Sequence, residues 1–155
     1  MTDQATSVPE TVDREVRLHV FRQAAETARV PTPEEIATEL DLSPAEVVES
    51  LYRLAASHLL VLAPGMANVW VAPPFCAVPT DFRVHAEGRT YWGICIWEAL
   101  GIPAALHADA TITARCGDCG DELGLEVQEG RLIHGEGIVH FAVPAIRWWD
   151  NIAFA

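Results

Sequence analysis

Thr32–Leu62 reads TPEEIATELDLSPAEVVESLYRLAASHLLVL, and two short motifs in it set the architecture of the first half of the chain. Thr32-Pro33-Glu34-Glu35 and Ser43-Pro44-Ala45-Glu46 each offer a hydroxyl at a helix N-cap, proline at N1 and glutamate at N3. Ile36, Ala37 and Leu40 then give one short helix, and Val47, Leu51 and Leu54 a longer one. Upstream, Val12, Val16, Val20, Phe21, Ala24 and Ala25 predict a first helix that ends before Pro31, preceded by a flexible tail over residues 1–11. Downstream, Leu59–Leu62 and Val69–Val71 predict two strands joined around Pro64-Gly65.

Three helices followed by a hairpin make a winged-helix-like lobe over residues 12–72, and the quoted segment resembles the winged-helix regions of bacterial regulators. A DNA-reading helix presents basic and amide side chains. The helix after Ser43 offers only Arg53, flanked by Glu46 and Glu49, so a structural or substrate-covering lobe is the better expectation. The whole chain agrees. Its 155 residues carry a formal net charge of -12, which disfavours both nucleic acid and anionic membranes. Half of the residues are hydrophobic, enough to build a core. The N-terminus is polar and acidic, without the basic and apolar regions of a signal peptide, and no stretch has the length of a membrane span. The expected location is cytoplasmic, where the four cysteines Cys76, Cys95, Cys116 and Cys119 stay reduced.

Pro73-Pro74 and Pro79 suggest a linker near residues 72–80, leaving 73–155 as a second lobe. There Phe82–Val84 and Thr90–Trp92 read as strands around the turn Glu87-Gly88. A helix begins near Gly93–Cys95 and reaches Leu100, where Gly101 and Pro103 punctuate it. Ala110–Ala114, Leu123–Val127 and Ile138–Val143 alternate as strands, and Arg147–Ala155 is an aromatic tail that packs as a last strand or helix. The expected fold class is α+β, a helical lobe followed by a mixed, largely antiparallel β lobe with a helix bearing Cys95.

The chemistry concentrates in Tyr91–Leu100 (YWGICIWEAL), where Cys95 and Glu98 stand three residues apart in an apolar stretch. At that spacing two side chains share a helix face. A thiol in a helix's first turn also meets unpaired N–H groups, which lower its pKa. Cys116-Gly117-Asp118-Cys119-Gly120 has the form of a zinc knuckle and can hold zinc or another soft metal. A structural zinc site takes four ligands, and no second Cys-x-x-Cys exists. His107, His134 or His140 could complete it, and otherwise the segment is a hairpin turn of reduced thiols or a redox pair. His19, His58 and His85 read as surface or satisfied core groups. Trp92, Trp97, Trp148 and Trp149 read as core or, alternatively, as the lining of an apolar substrate pocket. Phosphate-loop, serine-hydrolase and zincin motifs are absent from the sequence.

The run VHAEGRTYWGICIWEALGIPAALHADATITARCGDCGDELGLEV, residues 84–127, resembles the core of alkylmercury lyases, also called organomercurial lyases. In that family an aromatic-rich strand leads into a helix with Cys-x-x-Asp, then a proline turn, a strand and a cysteine-containing turn. Cys95-Ile96-Trp97-Glu98, GIPAAL and ATITARC stand at those positions here. The resemblance implies an N-terminal winged-helix-like lobe and a catalytic lobe over 73–155. It also implies protonolysis of a carbon–mercury bond, which releases Hg(II) and a hydrocarbon. Cys95 would be the mercury ligand and Glu98 the proton carrier. No cofactor is required; the ions that could be bound are Hg(II), which the resemblance implies, and Zn(II), which the Cys116/Cys119 turn suggests. The implied partners are a small organomercurial, low-molecular-weight thiols and a mercuric reductase.

Two departures stand out. Glu98 replaces the family's aspartate. The family's second catalytic cysteine lies late in the chain, and the matching stretch here, Arg147–Phe154 (RWWDNIAF), contains none; Trp149 or Asp150 falls near that position. Cys76 is a candidate second thiol, with a small buried hydrophobe as its alternative reading. Cys116 matches the family's non-catalytic cysteine. The competing function is a divergent non-lyase homologue, a cysteine-based metal-binding or metal-responsive protein.

Overall fold

The computed structural model describes residues 8–141, 143–150 and 152. The chain falls into two compact units that meet in sequence at Val78 and Pro79.

The first unit holds α1 (Val8–Thr27), α2 (Pro33–Leu40) and α3 (Pro44–Ala56), then an antiparallel sheet of β1 (Val61–Leu62), β2 (Val69–Ala72) and β3 (Phe75–Cys76) in that order. Both capping boxes form. Thr32 and Ser43 each accept the N3 amide, and Glu35 and Glu46 reach back to the N-cap amides at 2.8 and 2.9 Å. Together these caps fix where α2 and α3 start, so their apolar positions turn inward. Ile36, Val47 and Leu51 are fully buried with Val16 and Val20 of α1. Two expectations are corrected. The helix reaches back to Val8, into the stretch expected to be a tail, of which 1–7 lie outside the described residues. Pro73-Pro74 is not a linker: it is the turn between β2 and β3, with a cis peptide bond between the prolines. Cys76 therefore sits in a strand, opposite Val71.

Arg53 of α3 is not available to a polyanion. Its Nε and Nη2 clamp the Asp13 carboxylate of α1 at 2.8 to 3.1 Å, and Glu49 lies 3.8 Å away. Burial pushes the Asp13 pKa up, but the Arg53 hydrogen bonds and charge outweigh it and hold the carboxyl below its usual range. The one cation of the would-be reading helix is thus used inside the fold.

The second unit is a five-stranded antiparallel sheet, ordered β5-β4-β6-β7-β8, with one helix packed across it. Its strands are β4 (Phe82–Ala86), β5 (Arg89–Gly93), β6 (Ala110–Arg115), β7 (Glu122–Gln128) and β8 (Arg131–His134). The β4–β5 and β7–β8 hairpins turn on Glu87-Gly88 and Glu129-Gly130, all four with positive φ, the primed-turn geometry that suits strand twist. Because β4 pairs antiparallel with both β5 and β6, those two run parallel on either side of it. The helix α4 (Ile96–Leu106) makes the crossover between them. It packs on β5, β4 and β6, burying Ala99, Ile102 and Pro103 over the face of Val84, Ala86, Tyr91, Ala110, Ile112 and Ala114. The alanines on both sides allow the close approach.

Here α4 passes through Gly101 and Pro103, where the sequence predicted its end. Proline in a helix loses one N–H bond, and burial of Ile102 and Pro103 against the sheet offsets that loss. The third predicted strand is also displaced. Residues 138–141 form none, and Ala142 lies outside the described residues. The strand is instead β8, because the tight Glu129-Gly130 turn returns the chain at once beside β7. Ala145–Asp150 forms a 3-10 helix, tied by Arg147 to Asp150 at 3.0 Å and by the Trp148 indole N–H to the Val143 carbonyl; 153–155 lie outside the described residues.

Replacing the α3 cap, Ser43→Ala, should lower stability by about 1 kcal/mol. Urea denaturation followed by circular dichroism checks this, with the native spectrum unchanged.

Candidate functional site

The last strand residue before α4 is Gly93, and only glycine fits there. A Cβ on it would lie 2.8 Å from the Ala99 amide nitrogen and 3.1 Å from the Cys95 carbonyl oxygen. The first turn of α4 therefore lies directly against the end of β5. The Thr80 hydroxyl fixes that end, donating to the Gly93 carbonyl at 2.5 Å and accepting from the Phe82 amide at 3.1 Å. Thr80 and Gly93 were not singled out by the sequence; the glycine between an aromatic strand and an apolar helix was the available signal.

Cys95 is the N-cap of α4, extended at φ -147° and ψ 177°. Its carbonyl accepts the Ala99 amide at 3.0 Å. Glu98 is N3, and its Oε2 accepts the Ile94 amide at 2.6 Å. Cys95-x-x-Glu98 has the spacing of a capping box with sulfur in place of the hydroxyl, but the glutamate's hydrogen bond goes to the Ile94 amide, one residue before the N-cap. The thiol makes no side-chain cap bond of its own, although the Glu98 and Trp97 amides lie where they favour its ionised form.

The three N3 glutamates share a position in their helices and differ in electrostatics. Glu35 is held below the usual carboxyl range by Arg29 and by the Thr32 amide, and Glu46 by the Ser43 hydroxyl and amide. Glu98 goes the other way. Burial raises its pKa to about 7, against the opposing pull of the Ile94 and Cys95 amides. Burial likewise pushes the Cys95 thiol up, and the neighbouring carboxylate adds to this. The expectation of a thiol made acidic by the helix terminus is therefore corrected: desolvation outweighs the amides, and the resting group is the thiol.

Cys95 is half-buried, and Trp97 beside it is 64% exposed. Trp149 is 39% exposed, so neither indole is core; Trp92 and Trp148 are half-buried. A hollow of about 240 Å³ in this unit is lined by Arg83, Trp92, Thr113 and Arg115 among others. These side chains alternate with those under α4, and neither Cys95 nor Glu98 lines the hollow. The structure brings Cys95 together with Glu98, and Cys116 together with Cys119 in the β6–β7 turn. Cys76 belongs to the first unit, 5% exposed. No group of three His, Cys, Asp or Glu side chains placed to hold a metal ion occurs among the described residues, so the knuckle has no zinc set and no histidine completes it. No helix among those residues is long and apolar enough to cross a membrane.

The alkylmercury lyase family model matches residues 75–155, more than half of the chain. The chain belongs to the alkylmercury lyase family. Among solved structures it is similar to the mercury-bound form of MerB2, at 22% identity and a TM-score of 0.64 over 83% of this chain. At that identity the likeness is one of fold, and the chain spans 61% of that protein's length. No curated protein matches the sequence.

The raised Glu98 pKa has a signed consequence. Unfolded, the carboxyl ionises near 4.5; folded, it keeps its proton to about 7. Between those values the native state binds more protons, so this group's contribution to stability falls as pH rises. Infrared titration should show a carboxylic-acid band that disappears near pH 7. Glu98→Gln should remove the band and flatten the corresponding loss of stability.

Proposed function

We propose that this chain cleaves carbon–mercury bonds, with its second lobe as the catalytic one. The observation that carries the reading is a carboxyl protonated near neutral pH, three residues from a half-buried thiol, in an alkylmercury lyase family member.

The chemistry runs as follows. An alkylmercury thiolate exchanges its thiol for Cys95. The Cys95–mercury bond forms, the incoming thiol leaves with the Cys95 proton, and the raised thiol pKa is overcome because the soft ion displaces the proton. Glu98 then gives its proton to the carbon bound to mercury. The electron pair of the carbon–mercury bond goes to carbon, the hydrocarbon departs, and Hg(II) remains on sulfur. The resulting carboxylate is held by the Ile94 amide and is reprotonated from solvent. Short range supplies the effective concentration. Hg(II) needs a second sulfur, and the late family cysteine is absent. A low-molecular-weight thiol fills that role, and a mercuric reductase is the fitting acceptor of the product.

The missing late cysteine favours a second reading, a divergent homologue that binds a soft ion through its cysteines without turnover. Incubation with an organomercurial and excess thiol separates the two by hydrocarbon release. In the lyase reading, Cys95→Ser should reduce release to background. Glu98→Gln should slow it at least about 100-fold while mercurial binding persists. The wild-type rate should fall as pH rises past about 7, because the acid form is the donor. Weakened binding in Glu98→Gln would make the carboxylate a ligand instead.

Cys76→Ala separates a second-ligand role from simple packing. A ligand role predicts lower turnover that added thiol restores. Unchanged turnover at limiting thiol removes Cys76 from the reaction.

A further inference from the structure

Thr80 lies outside the strands, yet an unbroken run of hydrogen bonds leads from it to Glu98. Phe82 and Gly93 face each other as the end pair of the β4–β5 ladder, and the Thr80 hydroxyl is inserted beside them. It accepts the Phe82 amide at 3.1 Å and donates to the Gly93 carbonyl at 2.5 Å. The Phe82 carbonyl, at 3.4 Å, is the poorer acceptor. The Gly93 carbonyl belongs to the same peptide group as the Ile94 amide, and that amide donates to Glu98 Oε2 at 2.6 Å. Every direction is forced, because a backbone amide only donates and a carbonyl only accepts. The run is therefore Phe82 N–H, Thr80 O–H, the Gly93–Ile94 peptide and the Glu98 carboxyl. Gly93 is buried where the first turn of α4 abuts β5, and Thr80, Ile94 and Glu98 are half-buried. In such surroundings hydrogen bonds in series strengthen one another.

A hydroxyl donating to the Gly93 carbonyl draws electron density through the peptide and makes the Ile94 N–H a stronger donor. Oε2 is the carboxyl oxygen engaged by that N–H, which leaves Oε1 to carry the acid proton. When Oε1 passes the proton to the mercury-bound carbon, the carbon–mercury electron pair forms the new C–H bond and negative charge appears on the carboxylate. The Ile94 N–H holds that charge more strongly than it holds the neutral acid, so the transition state gains more than the ground state. We propose that Thr80 is a positioning residue for proton delivery: its hydroxyl, acting through the Gly93–Ile94 peptide, orients the Glu98 carboxyl and steadies the charge left as the proton departs. This role rests on the lyase reading and adds to it a residue that acts only through another.

The test compares the full wild-type chain with Thr80→Val, which keeps the branched shape without the hydroxyl, and Thr80→Ser, which keeps the hydroxyl without the methyl. Thr80→Ala is a second hydroxyl-free variant, so that one misfolded protein does not decide the outcome. Folding is verified by circular dichroism, and benzene release from phenylmercuric acetate is followed with excess thiol. Thr80→Val should lower kcat about 10-fold and leave KM within about twofold, because carboxyl placement is lost and substrate binding is not. Thr80→Ser should restore most of the rate. By NMR on isotopically labelled protein, the Ile94 amide proton should move upfield in the hydroxyl-free variants and stay near its wild-type position in Thr80→Ser. Wild-type kcat with an unmoved Ile94 amide in a folded hydroxyl-free variant would overturn the role. So would a loss of kcat that Thr80→Ser does not recover, which marks packing by the methyl group, or a rise in KM in place of the fall in kcat. A wild type that releases no benzene fails the lyase reading instead. The Ile94 shift needs no turnover and then decides by itself whether the hydroxyl acts on the amide that holds Glu98.

Discussion

The second unit is organised around a carboxyl group that closes the start of a helix while being largely removed from water. Glu98 stands at N3 of α4 and reaches back to the Ile94 amide, one residue before the N-cap, tying the end of β5 to the start of the helix. An ordinary exposed cap would remain ionised, as Glu35 and Glu46 do. Placing the same device against β5, where Gly93 brings the helix into backbone contact, removes the solvent that stabilises the anion. One side chain thus anchors α4 and stores a proton near neutral pH. The two roles are linked, since any change that loosens the turn readmits water and lowers the pKa.

That linkage also governs the thiol. Cys95 stands where a helix terminus normally favours a thiolate, yet burial and the adjacent carboxyl keep it protonated. A resting thiol resists adventitious oxidation, and in the proposed reaction it would become a ligand only when a metal displaces its proton. In that reaction selectivity for soft ions would come from bond strength to sulfur rather than from charge. This suits a strongly acidic chain, which would otherwise gather cations indiscriminately.

Much of this was legible in the sequence, for reasons that can be stated residue by residue. The boxes at Thr32 and Ser43 are local, so spacing alone placed α2 and α3. The strands around Glu87-Gly88 follow from alternation and a turn that needs positive φ. Cys95 and Glu98 were legible as a pair because helical spacing is fixed, but the thiol's state was not. Its pKa depends on how closely β5 approaches, a tertiary fact carried by Gly93 and Thr80. Gly101 and Pro103 misled because their local cost is visible in sequence while the burial that offsets it is not. The residues Ile138–Val143 misled in the opposite way. Their alternation is strand-like, but β7 is already paired by the charged-ended β8, which the tight turn delivers first. The prolines at 73 and 74 were legible as a break in the chain, and their role as a hairpin turn was not.

The exposed indole of Trp97 lies two residues from the Cys95 thiol and in the same helical turn. A heavy atom on that sulfur would enhance intersystem crossing in the ring, shortening its fluorescence and brightening its phosphorescence. The molecule thus carries its own optical gauge of occupancy, readable without label or crystal.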